Sequence, residues 1–314
     1  MRAIVVRALG GPEGMHLQEE TLPPPGPGEV RVRLYAAGVN PVDRMTRLGA
    51  VGQAAVPYIP GSDGAGEVIA VGPGVTRVQV GDRVYVAGAP TYAEETNAPE
   101  AAVWPLPAHL SFEQGAAIGI PYLTAWRALT LSGAVPGDWV LVHGASGGVG
   151  MAAVQIGRAH GLRVVGTAST EAGRELVQAH GAEAALAHDD LEGLKAVTSG
   201  EGYPAILTMR GAQTLDLDLR LAKPLGTIVV IGATGPVTVQ TPDLLGKTVS
   251  VRGYTNRQVT PEERVRIHHA LAGLFQAGLA RPVIGRRYPL EQAGEAQESL
   301  FREPATGKVV LTLA

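Results

Sequence analysis

The feature that most restricts the fold of this chain is a glycine-rich turn, GASGGVG, at residues 144–150. Apolar residues 140–142 precede the turn, and a helix-like stretch over residues 148–160 follows it. Small residues let a backbone approach a pyrophosphate closely, and the free N–H groups at the start of a helix attract its negative charge. The spacing is that of the dinucleotide fingerprint, with alanine in place of its first glycine. The candidate cofactor-binding residues of the turn are therefore Ala145, Ser146, Gly147, Gly148, Val149 and Gly150.

Strand-like and helix-like stretches alternate from about residue 118 onward. The strand candidates are residues 140–142, 163–167, 205–208, 227–231 and 248–251, and the clearest helices are 148–160, 171–180 and 214–221. Such alternation builds parallel strands joined by helical crossovers, with helices on both faces of the sheet. The sequence therefore predicts an α/β domain with a doubly wound parallel sheet of the Rossmann type.

The first hundred or so residues differ, because they contain short strands with little helix between them. Residues 2–7, 29–36, 66–71 and 82–86 are the strand candidates, and 283–288 and 308–313 in the tail are similar to them. A helix over 260–277, with Thr260 as its cap and Pro261 at its first position, precedes the tail. We expect a mostly antiparallel, barrel-like domain from residues 1–117 and 255–314, into which a domain of residues 118–254 is inserted.

Composition excludes several classes of function. A formal net charge of −3 without a block of like charges does not favour a nucleic-acid or anionic membrane partner. The chain has no cysteine, which removes disulfides and thiolate metal sites. No apolar run is long enough to span a bilayer and the N-terminus does not resemble a signal peptide, so the cytoplasm is the expected location.

The end of the second strand of the α/β domain bears on the choice of cofactor. NAD-binding folds usually have an acid there for the ribose 2′-hydroxyl, but this chain continues as VVGTAST over 164–170. Ser169, Thr170 and Arg174 could instead donate to a 2′-phosphate, and Thr167 at the strand end is a further candidate cofactor-binding residue. NADPH is therefore the predicted cofactor. A solvated helix charge is the alternative for Arg174, and Glu171 is an acid that argues the other way.

Several ordered motifs resemble those of the zinc-independent, quinone oxidoreductase (zeta-crystallin-like) branch of the medium-chain dehydrogenases/reductases. They are GGPE at 10–13, GVNPVD at 38–43, PGSDGAG at 60–66, VGPG at 71–74, GDRV at 81–84, TA at 124–125, the glycine turn, and GK at 307–308. The resemblance covers nearly the whole chain. It implies a GroES-like, mostly-β substrate domain and a Rossmann domain, with the active cleft between them.

The same resemblance predicts a site without metal. Zinc-dependent relatives have Gly-His-Glu where this chain has Gly61, Ser62 and Asp63, and they have a cysteine at the position of Asn40. Zinc needs soft or imidazole ligands that this set does not offer. Hydride transfer to an acceptor that is already electrophilic remains, and such an acceptor needs a hydrogen-bond donor for the oxygen that gains charge.

The family also suggests roles for individual residues. By resemblance, Asn40 and Thr124 flank the nicotinamide, although Asn40 is equally typical of a turn before Pro41. His188, Gly232 and Lys308 are expected near the cofactor, His188 by the adenine ribose. Tyrosines that bacterial relatives often carry are replaced by Met45 and Val51, so Tyr58 and Tyr92 are the nearest proton donors or stacking rings, and either could equally be core.

Three functions compete on this sequence. The leading prediction is NADPH-dependent reduction of quinones or related activated alkenes. The alternatives are reduction of enoyl thioesters or alkenals, and a non-catalytic NADPH-binding protein, which the unusual TMRG segment at 208–211 would favour. A homodimer paired through residues 247–253 is also expected from the family, although an ordinary internal strand explains those residues as well.

Overall fold

We describe a computed structural model of the chain, which covers residues 1–52, 54–232 and 235–313. The strands are β1 Arg2–Val6, β2 Met15–Glu19, β3 Glu29–Gly38, β4 Asp63–Val71, β5 Arg83–Ala87, β6 Glu95–Pro99, β7 Val103–Pro105, β8 Trp139–His143, β9 Arg163–Thr167, β10 Ala184–Leu186, β11 Tyr203–Thr208, β12 Ala222–Val230, β13 Ser250–Gly253, β14 Ile284–Pro289 and β15 Lys308–Thr312. The helices are α1 Pro41–Arg47, α2 Phe112–Gly115, α3 Gly119–Ser132, α4 Gly148–Ala159, α5 Glu171–Ala179, α6 Leu191–Val197, α7 Gly211–Leu221, α8 Thr241–Lys247, α9 Pro261–Gln276 and α10 Ala293–Arg302.

The chain divides into two compact units. Unit 1 comprises Met1–Ile120 and Pro282–Ala314, and unit 2 comprises Pro121–Arg281. The insertion expected from the sequence is present, but residues 255–281 belong to unit 2 and not to the first domain, to which the sequence analysis assigned them. The reason is packing that the sequence pattern does not show: Arg127 of α3 donates to Glu263 of α9, and the Tyr122 and Phe275 rings meet edge-to-face at 5.0 Å.

Unit 1 is built on a mostly antiparallel sheet, as its short strands predicted. The strand order is β14-β15-β3-β4-β5-β7, with β6 pairing the outer part of β3. The long strand β3 is the centre of this sheet, and its apolar residues Val30, Val32 and Leu34 are buried. Alternation with the more polar Arg31 and Arg33 gives the period of two that a one-sided strand requires. The tail strand β15 pairs with β3, which brings Lys308 back to the N-terminal segment.

Unit 2 is built on a six-stranded sheet in which every pairing is parallel, in the order β10-β9-β8-β11-β12-β13. This order reads 3-2-1-4-5-6 from the first strand of the unit, which is the doubly wound Rossmann arrangement. The predicted α/β fold is therefore confirmed. In such sheets, ligands bind at the carboxyl ends of the strands, next to the strand at which the winding reverses. Here that strand is β8, and the glycine turn follows it directly.

None of the helices in the described residues is long and apolar enough to cross a membrane.

Candidate cofactor and substrate site

The glycine turn connects β8 to α4 with a backbone that requires small residues. Gly144 has a φ of +77°, and a Cβ on Gly150 would lie 2.3 Å from the Gly144 carbonyl oxygen. Gly150 therefore lets α4 pack directly on the turn, as the fingerprint predicted. Gly147 is the N-cap of α4 and has no side chain that could cap it. The first N–H groups of α4 thus keep their hydrogen-bonding capacity for an anion.

The end of β9 offers donors and no carboxylate. Thr167, the last residue of the strand, is fully buried, while Ser169 is exposed. Thr170 caps α5 by accepting from Gly173 N at 3.1 Å. Arg174, in the first turn of α5, lies back over the strand end, with its Nη1 at 3.5 Å from the Ala168 carbonyl oxygen. The exposed hydroxyl and the guanidinium thus lie on the same short segment, where a 2′-phosphate would need them.

Arg210 is a residue at this edge that the sequence analysis did not single out. It follows β11, and its Cγ would lie 3.8 Å from a Cβ placed on Gly144. Its buried Nε has no hydrogen-bond partner among the described residues. Gly232 packs against the same segment, because a Cβ there would meet the Met209 carbonyl oxygen at 2.5 Å. The TMRG segment thus places the Arg210 side chain beside the glycine turn. The sequence analysis did not predict this, because the segment departs from the family pattern.

His188 follows β10 and lies at the same edge of the sheet. Its Nδ1 is 2.7 Å from the Thr167 hydroxyl, and its ring is partly exposed. Burial, together with the nearby charge of Arg210, lowers the pKa of His188 to about 4. The imidazole is therefore neutral near pH 7. Its predicted contact with the cofactor stays a prediction.

In unit 1, Asn40 belongs to a buried polar cluster, not to a simple turn. Its side-chain Nδ2 donates to Asp63 Oδ2 at 2.9 Å, and its Oδ1 accepts from the Lys308 ammonium. Asp63 also accepts from the backbone N of Ile120 at 2.9 Å. Asn40 is 2 % exposed, so its amide is held in one orientation by charged partners on both ends. The side-chain amide of Asn40 thus uses its hydrogen bonds to charged groups within the protein itself.

Asp43 braces the same loop. Its Oδ2 accepts from Asn40 N at 2.8 Å and from the Tyr92 hydroxyl at 3.1 Å. Burial raises the pKa of Asp43 to about 7. Tyr92 is fully buried and is occupied by this contact, which leaves Tyr58 as the tyrosine to consider. The Tyr58 hydroxyl has no hydrogen-bond partner in the described part of the chain, and burial raises its pKa.

The residues in the positions of zinc ligands do not suit a metal ion. Asn40 and Asp63 are accompanied by the Lys308 ammonium, 3.6 Å from Asp63 Oδ2, and a cation already in that place repels a second one. Burial lowers the pKa of Lys308 and raises the pKa of Asp63. The charge of each residue counteracts the shift that burial causes in the other. No cluster of three or more possible ligands occurs among the residues described. Lys308 is thus a buried ion-pair residue, and its contact with a cofactor stays a prediction.

Thr124 lies in unit 2, on α3, and is 4 % exposed. Its hydroxyl accepts from Asn256 Nδ2 at 2.8 Å, and Asn256 in turn accepts from the Tyr254 hydroxyl. Because the oxygen of Thr124 accepts from Asn256, its own proton can be donated, and the Tyr254 hydroxyl is one side-chain partner for it. Asn256 was not predicted, since it stands alone in the sequence between β13 and α9.

Two family models match this chain. "Alcohol dehydrogenase GroES-like domain" matches residues 26–108, and "Zinc-binding dehydrogenase" matches residues 148–270. The first model covers most of the sheet of unit 1, and the second begins inside the glycine turn. They agree with the architecture of a mostly-β domain and a Rossmann domain.

Full-length relatives narrow the assignment. Quinone oxidoreductase from Mus musculus is 42 % identical over 330 residues, which cover 100 % of this chain and 98 % of the relative. A mycobacterial protein solved in complex with NADPH superposes with a TM-score of 0.90 at 32 % identity, covering 100 % of both chains. A structure described as an NAD-dependent alcohol dehydrogenase gives a TM-score of 0.92 at 32 % identity, also covering 100 % of both chains. The resemblance of the motifs is thereby confirmed, and this chain belongs to the quinone oxidoreductase family of the medium-chain dehydrogenases/reductases.

Proposed function

We propose that this chain is an NADPH-dependent oxidoreductase that transfers hydride to quinones or related activated alkenes without a metal. The observation that carries the proposal is the carboxyl edge of the parallel sheet in unit 2. There an uncapped helix start, a glycine turn without room for a side chain at Gly150 and a strand end without a carboxylate lie together. The mouse relative named quinone oxidoreductase supports the same acceptor class.

The residues of this edge fit a phosphorylated dinucleotide. The N–H groups at the start of α4 suit the pyrophosphate, and Ala145, Ser146 and Val149 line the turn that approaches it. Ser169 and Arg174 suit a 2′-phosphate through hydroxyl and guanidinium hydrogen bonds. When bound, NADPH would supply the hydride. The mycobacterial neighbour solved with NADPH supports this choice, whereas the NAD-dependent neighbour makes the choice worth a direct test.

We further propose how the chain's own side chains serve the acceptor. The Thr124 hydroxyl, fixed by Asn256, has a proton to donate to an oxygen that gains charge during hydride addition. The buried Tyr58 hydroxyl, which has no partner in the described part of unit 1, is the candidate proton source. Asn40, held between Lys308 and Asp63, provides a rigid wall of the substrate domain. A donor held in one orientation, as Thr124 is by Asn256, suits electrostatic stabilisation of a developing oxyanion.

A homodimer is also proposed, on the state of β13. This four-residue strand is exposed along its length and forms the edge of the sheet, with Val251 43 % exposed and Leu245 before it 75 % exposed. An open strand edge with apolar neighbours can pair across a two-fold axis. Sedimentation analysis checks this, with a monomer as the contrary result. The cytoplasm stays our prediction for location.

A panel of acceptors tests the proposed function. NADPH consumption is followed at the nicotinamide absorbance band with 1,4-benzoquinone, 9,10-phenanthrenequinone or crotonyl-CoA, after dialysis against a chelator. We expect turnover with the two quinones, little with the thioester, and no loss on chelation. Preferred turnover of crotonyl-CoA would instead favour an enoyl thioester reductase. Tight NADPH binding without consumption of any acceptor would favour a non-catalytic NADPH-binding protein.

A further inference from the structure

A continuous chain of buried polar side chains runs beneath the carboxyl edge of the sheet in unit 2. On one side, His188 Nδ1 is 2.7 Å from the Thr167 hydroxyl, which is 2.9 Å from His143 Nδ1. His143 Nε2 then lies 2.9 Å from Asp218 Oδ1 on α7. His143, Thr167 and Asp218 are all fully buried. The chain therefore connects the partly exposed His188 to a carboxylate in the interior.

Asp218 also ends a second chain. The Thr214 hydroxyl donates to Asp218 Oδ2 at 3.1 Å and is 2.8 Å from the Thr208 hydroxyl, which accepts from the backbone N of Arg210 at 3.0 Å. A backbone N–H can only donate, and a carboxylate can only accept. The single hydrogen of the Thr214 hydroxyl has two acceptors in reach, Asp218 Oδ2 and the Arg210 carbonyl oxygen at 3.3 Å, and the carboxylate is the nearer and stronger one. This second chain thus runs from Arg210 towards Asp218. Asp218 is therefore the last acceptor of this second chain. No histidine tautomer enters into that conclusion.

The same rule fixes the direction on the histidine side. Within the described residues, His143 Nε2 and Asp218 Oδ1 have no hydrogen-bond partner beyond their mutual 2.9 Å contact. Buried polar atoms are satisfied in nearly all proteins, so we treat this contact as the bond that satisfies both. With a carboxylate as acceptor, Nε2 of His143 carries the hydrogen, and Nδ1 of the neutral ring is an acceptor.

The Thr167 hydroxyl lies between two ring nitrogens and has one hydrogen. If it donates to His143 Nδ1, it must accept from His188 Nδ1. His188 then carries its hydrogen on Nδ1, and its Nε2 is a lone pair. No partner for that Nε2 occurs among the residues that the structure describes.

We propose that Asp218 and His143 are positioning residues that fix the direction of this chain, so that His188 presents its Nε2 lone pair to a ribose hydroxyl of the dinucleotide. The inference rests on the proposed dinucleotide binding at this edge. Thr167 ends the second strand, where the ribose is recognised in Rossmann folds. A lone pair accepts from a hydroxyl and is unfavourable next to a phosphate oxygen. The 2′-phosphate is therefore assigned to the segment of Ser169 and Arg174.

The direction is measurable in the protein without cofactor. Long-range ¹H–¹⁵N NMR of protein labelled at its eight histidines reports which ring nitrogen is protonated. The variants His188→Gln and His143→Gln assign the two signals by their loss. We expect hydrogen on Nδ1 of His188 and on Nε2 of His143. An Nε2-protonated His188, or a His143 protonated on both nitrogens, contradicts the proposal.

A single substitution should reverse the donor-to-acceptor direction of the hydrogen bonds that connect His188 to Asp218. In Asp218→Asn, the amide can accept from Thr214 and donate to His143 Nε2, which moves the hydrogen of His143 to Nδ1 and that of His188 to Nε2. Asp216→Asn, on the same helix but outside the chain, is the matched control and should leave both rings unchanged. Unchanged tautomers in Asp218→Asn would also overturn the proposal. The wild-type spectrum stands as a test even if this variant does not fold.

Titration with NADPH separates this inference from the proposed function. We expect Nε2 of His188 to stay unprotonated and its ¹⁵N signal to move upfield, as occurs when a lone pair accepts a hydrogen bond. Protonation of Nε2 on binding would show a phosphate contact and contradict the proposal. Correct tautomers without any NADPH binding would instead contradict the proposed function alone, because the direction of the chain is set before the cofactor arrives.

Discussion

The buried cluster around Asn40 in unit 1 and the carboxyl edge of the sheet in unit 2 differ in whether their polar groups already have partners within the protein. In the cluster, charged and polar groups satisfy one another: Lys308 with Asn40 and Asp63, and Asp43 with Tyr92. At the edge, groups are left available: the start of α4, the Nε of Arg210 and the exposed Ser169. The first region should therefore contribute mainly to stability and rigidity, and the second mainly to binding.

Removing the cation of the cluster should have the largest effect. Lys308→Met leaves the Asp63 carboxylate buried with only neutral donors, and breaking a buried ion pair costs about 3–5 kcal/mol. The free energy of unfolding in urea measures this loss. Asp63→Asn added to Lys308→Met should recover part of it, since the unpaired charge is gone. If Lys308→Met alone is as stable as the wild type, the ion pair of Lys308 and Asp63 does not stabilise the cluster.

The cluster should also make stability depend on pH through Asp43. Its pKa of about 7 lies above the unfolded value of about 3.9, so the folded state favours the protonated form. The stability this provides is present at low pH and is lost as pH rises through about 7. Asp43→Asn should remove that loss, which is about 4 kcal/mol for the whole shift of about three units and about 2–3 kcal/mol between pH 5 and pH 8. Unfolding free energies at pH 5 and pH 8 give the comparison, and Asp82→Asn on the surface is the control. Equal pH dependence in wild type and Asp43→Asn would contradict the account.

At the edge, a methyl group on the glycine turn should damage both packing and binding. In Gly150→Ala the Cβ meets the Gly144 carbonyl oxygen at 2.3 Å, and such overpacking costs about 1–3 kcal/mol. NADPH affinity should fall with it, because the turn must move away from α4. Gly273→Ala, in α9 with open space around its Cβ, is the matched control and should be neutral or slightly stabilising. Unchanged NADPH affinity in Gly150→Ala would mean that the dinucleotide binds elsewhere.

At Arg174 we expect a substitution to weaken NADPH binding without changing the free energy of unfolding. Arg174→Ala should weaken NADPH by about tenfold or more, equal to about 1.4 kcal/mol, and change NADH by less than about twofold. Arg163→Ala, at the other end of β9, removes an exposed pair with Glu183 and should affect neither cofactor. Calorimetric titration of the wild type and the two variants with each cofactor gives the six dissociation constants. Equal weakening of both cofactors by Arg174→Ala would remove the 2′-phosphate assignment.

The smallest effect is expected where a single neutral hydrogen bond orients Thr124. Asn256→Ala should lower kcat with 9,10-phenanthrenequinone by about threefold and leave KM for NADPH unchanged, because it frees the Thr124 rotamer without removing the hydroxyl. Thr124→Val removes the donor itself and should cost more. An effect of Asn256→Ala on KM alone would assign the residue to cofactor binding.

The sequence predicted the regions in which backbone geometry carries the signal. The strand at 163–167 was placed to the residue, and α5 was predicted to within one residue of its end, because a short apolar run defines the strand and Thr170 caps the helix. The glycine turn followed from its spacing together with its position between a strand and a helix, and Gly150 must lack a side chain for α4 to pack.

Side-chain networks could not be predicted, because their members are far apart in the sequence. Asn40 meets Lys308 only because β15 pairs with β3, and His143 meets Asp218 only because α7 packs on β11 and β12, next to β8 in the sheet. The assignment of residues 255–281 failed for the same reason: a helix before a strand-like tail looks like part of the tail until Arg127 and Tyr122 hold it to unit 2. Neither case leaves a local pattern.

The ratio of kcat/KM for NADPH to that for NADH, with 9,10-phenanthrenequinone as acceptor and chelator-treated protein, tests the central claim most directly. The account predicts quinone-dependent oxidation of NADPH with a ratio of about ten or more, since NADH offers Arg174 and Ser169 a 2′-hydroxyl and no charged phosphate. A ratio near one, or no oxidation of NADPH with any quinone, would contradict it.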